Sequence, residues 1–342
     1  MTPHPVPGLV SVIVCVYNAG DFLRPAIESL LAQTYTQLQI IVVDDGSTDD
    51  GLASIRDLAD PRIEILTKAN GGKPTALNQG LAHARGEFYA VQDADDLSKP
   101  TRIAAQLACL QQHPSVGAVF CGYELILDGR HVAPRFAERS IAACRNDIKD
   151  MQMPGHDPTA MYRSALVAEF AYDEQLPIVE GYDYIMRVGE ATDMMVVGEC
   201  LYAYRIHLAT VTKSDPTRRC RLLRAAVEKT LHRRGLPFTE ADLPAVPSGR
   251  RITNRQRDNE LASHFMVSVV DQLHAGSRLA AIRTALTCAR MHPGDLYYYK
   301  PLAYCFAPLA AIDHHRNRHE RARLRAAQNL QNSEQRQSDA RT

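Results

Sequence analysis

The chain of 342 residues contains no tryptophan, no C-x-x-C pair and no excess of either charge. Lys plus Arg and Asp plus Glu number 39 each, so the formal net charge at pH 7 is zero and does not favour nucleic acid as a partner. The eight cysteines predict small buried side chains in a reducing compartment, because neither a zinc site nor a disulfide framework is indicated. No apolar run approaches the roughly 18 residues of a membrane-spanning helix.

The N-terminal segment also lacks a signal peptide and three kinds of phosphate-binding loop. The apolar segment LVSVIVCVY follows no basic segment and precedes no small-residue cleavage site, so it predicts a buried strand and not a signal peptide. The turn after it, YNAGD, lacks G-x-G-x-x-G, and no P-loop is present. The Gly-rich loop with a basic residue that a sugar nucleotidyltransferase would carry is absent too. We therefore expect a cytoplasmic protein without these phosphate-binding loops.

Strands and helices alternate over the first hundred residues. Segments 9–16, 38–43, 62–66 and 87–92 have the apolar, β-branched character of strands, and segments with helical spacing or capping residues separate them. This order predicts βαβ units and a mostly parallel sheet with helices on both faces. In such a sheet, ligands bind beyond the carboxyl ends of the strands.

Two acidic clusters follow predicted strands at this edge. Asp44 and Asp45 end the second strand, and Asp93, Asp95 and Asp96 follow the fourth. Like charges this close destabilise a fold unless a cation lies among them or all of them face water. The triplet is therefore a candidate metal site.

A polar loop is the alternative interpretation of the triplet. In that case Asp96 or Ser98 caps the next helix, which Pro100 helps to start. The triplet by itself leaves both interpretations open.

The sequence resembles glycosyltransferase family 2 in several motifs that follow one another in the family's order. They are VSVIVCVYNAGDFLRPAIESLLAQTY, IIVVDDGSTDD, NGGKPTALNQGLAHARGEFYAVQDADDLSKPTRI and VEGYDYIMRV. The resemblance is strong over residues 9–103, moderate over 150–210 and weak beyond. It implies the GT-A fold, an α/β architecture with a Rossmann-like, mostly parallel central sheet, here followed by a helical C-terminal extension.

The resemblance and the change of composition near residues 214–217 predict the domain organisation. Residues 1–212 are expected to form the GT-A domain, with a nucleotide-sugar-binding half at 9–103 and an acceptor half at 104–212. An Arg-rich helical region is expected over 213–328. The polar tail at 329–342 is expected to be disordered.

The resemblance implies a divalent cation at the segment DADD, which matches the family's D-x-D signature. Asp95 is the expected direct ligand of Mn²⁺ or Mg²⁺, while Asp93 and Asp96 are assigned to the ribose and the surroundings of the metal, with the division between them open. His207 is expected to complete the metal's ligands or to close over the diphosphate. Such a cation suits oxygen ligands and lowers the barrier to departure of the diphosphate.

Four further side chains are implied to bind the nucleotide sugar. Asp45 is the expected acceptor of the imide N–H of uracil. The alternative for this segment is that Asp44 or Ser47 caps a helix. Tyr17 flanks the base or simply packs. Lys73 neutralises a phosphate or is solvated, and Arg205 contacts a phosphate or pairs with a surface carboxylate.

The acceptor side departs from the family pattern. The family often carries Glu-Asp-Tyr-Asp, in which the first Asp removes the proton of the acceptor hydroxyl, whereas this chain has Gly181 at that place. Glu180 is the first candidate for the base and Asp183 the second, and a relocated or absent base remains open. His156 and Asp157 are assigned to the acceptor side by the resemblance alone.

The resulting expectation is a metal-dependent inverting glycosyltransferase that uses a nucleoside diphosphate sugar, with UDP-sugar favoured. The acceptor is a saccharide, a lipid-linked saccharide or a protein glycan, in surface polysaccharide biosynthesis. Without tryptophan the chain lacks the Gln-x-x-Arg-Trp motif of processive synthases, which favours transfer of single sugars. The alternatives are a non-catalytic nucleotide-sugar-binding or scaffold protein and a sugar-nucleotide hydrolase.

The segment at 296–325 runs from aromatic and apolar to basic residues. This order is typical of a peripheral contact with the inner face of an anionic membrane. An ordinary packed helix under a basic cap is the alternative.

Overall fold

The structure is a computed structural model that describes residues 5–127, 129–136, 138–206, 216–238, 254–274, 276–291 and 293–312. The chain divides into two compact units, Met1–Thr230 and Leu231–Thr342. The predicted boundary at residue 212, the predicted tail at 329–342 and His207 lie outside the described residues, and the predicted domain limits stay predictions.

One sheet of nine strands forms the centre of the first unit, counted over the described residues. Its strand order is β3-β2-β1-β4-β8-β6-β9-β5, and β7 pairs with β6. The strands are β1 (Val6–Val16), β2 (Leu38–Asp44), β3 (Ile63–Thr67), β4 (Gly86–Asp93), β5 (Leu97–Ser98), β6 (Val116–Leu127), β7 (Arg130–Val132), β8 (Ala160–Arg163) and β9 (Asp193–Arg205).

The sheet has a parallel half and a mixed half. Strands β3, β2, β1 and β4 are parallel, as the sequence predicts. Strand β8 is antiparallel to both β4 and β6, β6 pairs in parallel with β9, and β5 is antiparallel to β9. The carboxyl ends of β1, β2 and β4 therefore meet at one edge, and β9, which runs in the same direction as β4, brings its carboxyl end to the loop that follows β4.

Helices cover both faces of the sheet because its strands are apolar on both sides. In β1, Val12 and Val14 pack in one buried cluster and Ile13 packs in the other. The α-helices of the described residues are α1 (Leu23–Leu31), α2 (Lys73–His83), α3 (Arg102–Gln112), α4 (Ile141–Lys149), α5 (Ser164–Val167), α6 (Glu180–Ala191), α7 (Pro216–Arg233), α8 (Asn254–His274), α9 (Arg278–Met291) and α10 (Lys300–Tyr304).

The second unit is helical where it is described, as the sequence predicts. Helices α8, α9 and α10 enclose a small apolar core that includes Val269, Ala285 and Cys305. Within the described residues, no helix combines the length and the apolar character required to cross a membrane.

After the second strand, capping by Thr48 or Asp49 predicts a helix that extends to about Ala59, whereas the structure has the short 3₁₀ turn Gly51–Ile55 there. The carboxylate of Asp49 accepts hydrogen bonds from the backbone N–H of Gly20, at 2.8 Å, and of Gly51, at 3.2 Å. These contacts fix the start of the turn against the segment after β1, which accounts for the difference from the prediction.

A buried arginine joins the parallel half of the sheet to the segment before β8. The guanidinium of Arg102 is fully buried and donates to the carbonyl oxygens of Val91 (3.0 Å), Pro158 (2.8 Å) and Ala160 (3.2 Å). It also lies 4.9 Å from the centre of the Tyr202 ring. One side chain therefore holds three parts of the chain that border the acidic loop.

Replacing this guanidinium should destabilise the first unit strongly. We expect Arg102→Met to lower the free energy of unfolding by on the order of 3 kcal/mol, because buried carbonyl oxygens lose their donors. Urea unfolding measures the loss. Arg145→Met is the matched control, since the exposed Arg145 side chain forms an ion pair with Asp193 at the surface, and its effect should stay within about 0.5 kcal/mol. Equal effects of the two substitutions would contradict this structural role.

Candidate functional site

The acidic triplet lies in the loop between β4 and β5, and residues of β9 hold it. Asp93, Asp95 and Asp96 each offer a carboxylate oxygen, and these oxygens all lie within 4.8 Å of one another. The carboxylate of Asp96 is fully buried and accepts hydrogen bonds from the Tyr202 hydroxyl, at 2.8 Å, and from the backbone N–H of Arg205, at 2.7 Å. Nε of Arg205 donates to the carbonyl oxygen of Asp95, at 2.8 Å.

The triplet does not cap the following helix. Helix α3 begins after Thr101, and no side chain makes a capping hydrogen bond there. The prediction that Asp96 or Ser98 caps this helix is therefore wrong.

The donor set of the triplet fits a divalent cation that prefers oxygen, such as Mn²⁺ or Mg²⁺. Asp93 and Asp95 are only partly buried, whereas both oxygens of Asp96 already accept hydrogen bonds. Burial raises the pKa of Asp96 well above its usual range, and the charges of Asp95 and Asp93 raise it further. The third predicted ligand, His207, lies outside the described residues.

Lys73 connects the acidic triplet to the acceptor side. It is the first residue of α2, and its Nζ lies 2.5 Å from Oδ1 of Asp93 and 3.6 Å from Oε1 of Glu180. Burial by itself lowers the pKa of this ammonium, but Asp93 and Glu180 more than offset that effect, so the pKa is raised. Lys73 therefore stays charged between two carboxylates.

Asp45 organises the loop that leads into α2. Its buried carboxylate accepts hydrogen bonds from the backbone N–H of Gly71 (2.9 Å) and Gly72 (2.7 Å) and from Nζ of Lys68 (2.5 Å). Gly72 has φ +91°, a conformation that favours glycine. The contact of Asp45 with a base stays a prediction beside this observed role.

The other two nucleotide candidates differ in their surroundings. Tyr17 follows β1 directly and is 53% exposed, so its ring is accessible to a flat ligand. The guanidinium of Arg205 lies 4.9 Å from the centre of the Phe22 ring and contacts the acidic loop through Nε. Both assignments to the nucleotide sugar stay predictions.

The two candidate bases have different contacts at the start of α6. Glu180 is the first residue of the helix and is buried, and its Oε2 has no hydrogen-bond partner among the described residues. Both Nε and Nη2 of Arg187 lie within 2.8 Å of Oδ2 of Asp183. A buried carboxylate oxygen without a partner is costly, so the Glu180 oxygen is the better candidate for contact with a ligand.

Asp157 fills the space beside the glycine of this helix. A Cβ at residue 181 would lie 2.9 Å from Cβ of Asp157, closer than such atoms approach in proteins. The Asp157 carboxylate accepts hydrogen bonds from the hydroxyls of Tyr162, at 2.6 Å, and Tyr172, at 3.0 Å. Burial raises the pKa of Asp157 from the ordinary value of 3.8 to about 6, although the Tyr162 hydrogen bond and the charge of Lys73 lower it.

His156, the neighbour of Asp157, is exposed. Its Nε2 lies 3.3 Å from the hydroxyl of Tyr123, and the two rings meet edge to face with centroids 5.3 Å apart. The assignment of His156 to the acceptor side stays a prediction.

Sequence reasoning missed the side chains that support these carboxylates. Lys68 follows β3 at the same edge of the sheet, so its position directly after a predicted strand was a signal that could have identified it. The side chains of Arg102, Tyr172 and Tyr202 reach partners in segments 15 or more residues away, so no local pattern indicates these contacts. Tyr162 is five residues from Asp157, but its position in a short apolar strand is typical of ordinary packing.

Comparison with known proteins gives the site its context. The model of the family "Glycosyl transferase family 2" matches residues 11–171. A protein of Haemophilus influenzae named an uncharacterized glycosyltransferase is 32% identical over 212 residues, which are 58% of this chain and 66% of that protein. One of Rickettsia prowazekii with the same description is 32% identical over 60% of this chain and 66% of its own length. The match thus spans just under two thirds of either relative.

Solved structures share the fold. The Staphylococcus aureus protein TarS, residues 1–349 in complex with UDP-GlcNAc, superposes with a TM-score of 0.57 at 20% identity and covers 85% of this chain and 89% of its own. A mannosyltransferase of Pyrobaculum calidifontis in complex with GDP-Man and Mn²⁺ has a TM-score of 0.52 at 19% identity, with 89% and 86% covered. The sheet and its helices have the GT-A fold that the sequence predicts.

The raised pKa of Asp157 predicts a pH-dependent stability difference. Between pH 4 and 6 the folded protein binds a proton that the unfolded chain has lost, so the free energy of unfolding falls by about 3 kcal/mol as the pH rises. Asp157→Asn removes this dependence and retains an acceptor for the tyrosine hydroxyls. We expect the melting temperature of the variant relative to wild type to increase by on the order of 5 °C between pH 4 and pH 7.

Thermal melts at several pH values measure this difference. Asp193→Asn is the matched control, because Asp193 lies in the Arg145 ion pair away from the buried cluster. The control's difference from wild type should change little over the same range. A difference that stays constant with pH for Asp157→Asn would contradict the burial of an ionising carboxylate there.

Proposed function

We infer, because the model of glycosyltransferase family 2 matches residues 11–171, that the protein is a glycosyltransferase of this family that moves a sugar from a nucleoside diphosphate to an acceptor hydroxyl. The observation that carries this inference is the chain of charges from the acidic triplet through Lys73 to Glu180. It combines carboxylates suited to a cation with a buried carboxylate oxygen that has no protein partner among the described residues.

The donor is proposed to be a UDP-sugar. The structure of TarS holds UDP-GlcNAc, which supports this class, while the mannosyltransferase structure holds GDP-Man and makes guanine the alternative base. Asp45 is the proposed acceptor of a base N–H, and Tyr17 is the proposed ring beside the base. Asp93, Asp96 and Arg205 are proposed to contact or support the ribose and diphosphate.

Asp95 and Asp93 are proposed to hold Mn²⁺ or Mg²⁺, with His207 as a further ligand. A bound divalent cation offsets the negative charge that develops on the departing diphosphate. Lys73 adds a fixed positive charge on the same side, because its ammonium already lies against Asp93. The chain thus supplies both a cation site and a permanent cation for the diphosphate.

Glu180 is the proposed base for an inverting transfer. Its free Oε2 can accept the proton of the acceptor hydroxyl while the oxygen of that hydroxyl attacks the anomeric carbon. Asp183, the second candidate, is less suited because its carboxylate is paired with Arg187.

The acceptor is proposed to be a saccharide, free or linked to a lipid or a protein, in surface polysaccharide synthesis. His156 and Asp157 are proposed to border it. In the second unit, Leu296 and Phe306 are 85% and 72% exposed, which supports a peripheral contact with the cytoplasmic face of a membrane.

Binding of the donor should depend on the acidic triplet. We expect one of UDP, UDP-GlcNAc, GDP and GDP-mannose, at about 100 times its Kd, to raise the melting temperature by on the order of 5 °C when Mn²⁺ is present. The shift should be largely lost without Mn²⁺ and in Asp95→Asn, and kept in Asp193→Asn. Absence of a shift with every nucleotide would refute the proposed function.

Turnover should depend on Glu180. With the nucleotide sugar that gives the largest shift, we expect Glu180→Gln to lower the rate of nucleoside diphosphate release by roughly 100-fold or more, because the base is removed. The donor-induced melting shift should remain. A wild type that binds the donor but releases no diphosphate, with or without saccharide acceptors, would instead indicate a nucleotide-sugar-binding protein.

A further inference from the structure

The contact between Asp157 and Gly181 means that one side chain, not two, fits at this place. The position of a Cβ on residue 181 lies 2.9 Å from Cβ and 3.6 Å from Oδ2 of Asp157. Helix α6 has no carboxylate at residue 181. The Asp157 carboxylate, from the 3₁₀ turn Asp157–Thr159, lies beside that position instead.

The Asp157 carboxylate is fixed in place. The hydroxyls of Tyr162 and Tyr172 donate to it, and the Tyr172 ring stacks on that of Tyr184, with centroids 4.1 Å apart. The Arg102 guanidinium holds the carbonyl oxygen of the next residue, Pro158. This surrounding determines the position of the carboxylate and leaves it little freedom to turn away.

Packing and hydrogen bonding do not account for a charged residue here. The two tyrosine hydroxyls need only an acceptor, which the amide oxygen of an asparagine would provide without the desolvation of a charge. Lys73 and Glu180 interact electrostatically with Asp157, so its charge belongs to the cluster that contains the proposed base. Its pKa of about 6 is close to the range that suits proton transfer near neutral pH.

We propose that Asp157 is a catalytic carboxylate that replaces the missing side chain at residue 181 and forms with Glu180 the pair that receives the acceptor's proton. This inference rests on the proposed function and deepens it. The electrostatic influence of Glu180 on Asp157 places both carboxylates in one charged cluster, where either can act as the acceptor of the proton.

Loss of the acceptor's proton accompanies the displacement at the anomeric carbon. The O–H bond of the acceptor breaks, and its electron pair stays on the oxygen, which forms the new bond to the anomeric carbon. The bond from that carbon to the diphosphate oxygen breaks, and its electrons leave with the diphosphate. The pair of Glu180 and Asp157 holds the proton and returns it to solvent after the products leave.

An exchange of the two residues tests the proposal. We expect Asp157→Asn and Asp157→Gly each to lower the kcat of diphosphate release by roughly 100-fold, with an unchanged donor-induced melting shift. Gly181→Asp alone should also lose activity, because its side chain collides with Asp157. The double variant Asp157→Gly/Gly181→Asp restores one carboxylate to the shared space and should regain at least tenfold over Asp157→Gly.

Two comparisons separate catalysis from a structural role. Asp193→Asn, the matched control, should keep the wild-type kcat. Combining Asp157→Asn with Glu180→Gln should lower kcat by much less than the product of the single effects, since members of one catalytic unit are not additive.

The proposal is overturned if Asp157→Asn keeps the wild-type kcat, or if the exchanged double variant is no more active than Asp157→Gly. Strictly multiplicative losses in Asp157→Asn/Glu180→Gln would also overturn the pair. These outcomes are distinct from failure of the proposed function, because that failure appears as a wild type without nucleotide binding, measured separately by the melting shift.

Discussion

The ammonium of Lys73 is the contact on which the arrangement of the site depends. It lies between Asp93, at the end of β4, and Glu180, at the start of α6, and these carboxylates would otherwise repel each other at the edge of the sheet. Its position follows from the local sequence: Asp45 fixes Gly71 and Gly72, and helix α2 begins directly after them with Lys73. The Asp45 carboxylate, directly after β2, thus determines the position of the Lys73 ammonium, which connects the proposed donor and acceptor sides.

The mixed half of the sheet positions the carboxylates of Asp96 and Asp157. Strand β9 runs past the loop after β4, so the Tyr202 hydroxyl and the backbone N–H of Arg205 meet the Asp96 carboxylate. Both oxygens of Asp96 are engaged, which leaves Asp93 and Asp95 as the carboxylates with exposed surface. The antiparallel strand β8 brings the segment with Asp157 beside α6, and Arg102 ties this segment to β4. The departure from a parallel sheet therefore brings the acceptor-side carboxylates to the metal candidates.

The parallel half and the acidic triplet were predictable from the sequence because their signals are local. Apolar strands that end in carboxylates identify the edge of the sheet, and three like charges within four positions there make a cation site one of two interpretations, which the resemblance to the family then favours. The antiparallel orientation of β8 relative to β4 and β6 was not predictable, because the pattern of its four residues does not indicate whether the strand pairs in parallel or antiparallel. The short turn at Gly51–Ile55 was missed for a similar reason: the carboxylate of Asp49 is held by Gly20, a contact that helix-capping signals do not reveal.

The glycine at residue 181 illustrates the limit of motif comparison most clearly. Seen along the sequence, it is the loss of a carboxylate. In three dimensions it is the room that the Asp157 side chain requires, and the tyrosine hydroxyls around Asp157 hold that carboxylate in a fixed direction. Burial of this charge lowers stability above about pH 6, whereas a neutral amide would satisfy the same hydroxyls. A carboxylate that lowers stability is therefore explained by a role in catalysis and not by packing. Because it lies in the same charged cluster as the unpaired Glu180 oxygen, the pair explains the acceptor side better than Glu180 alone.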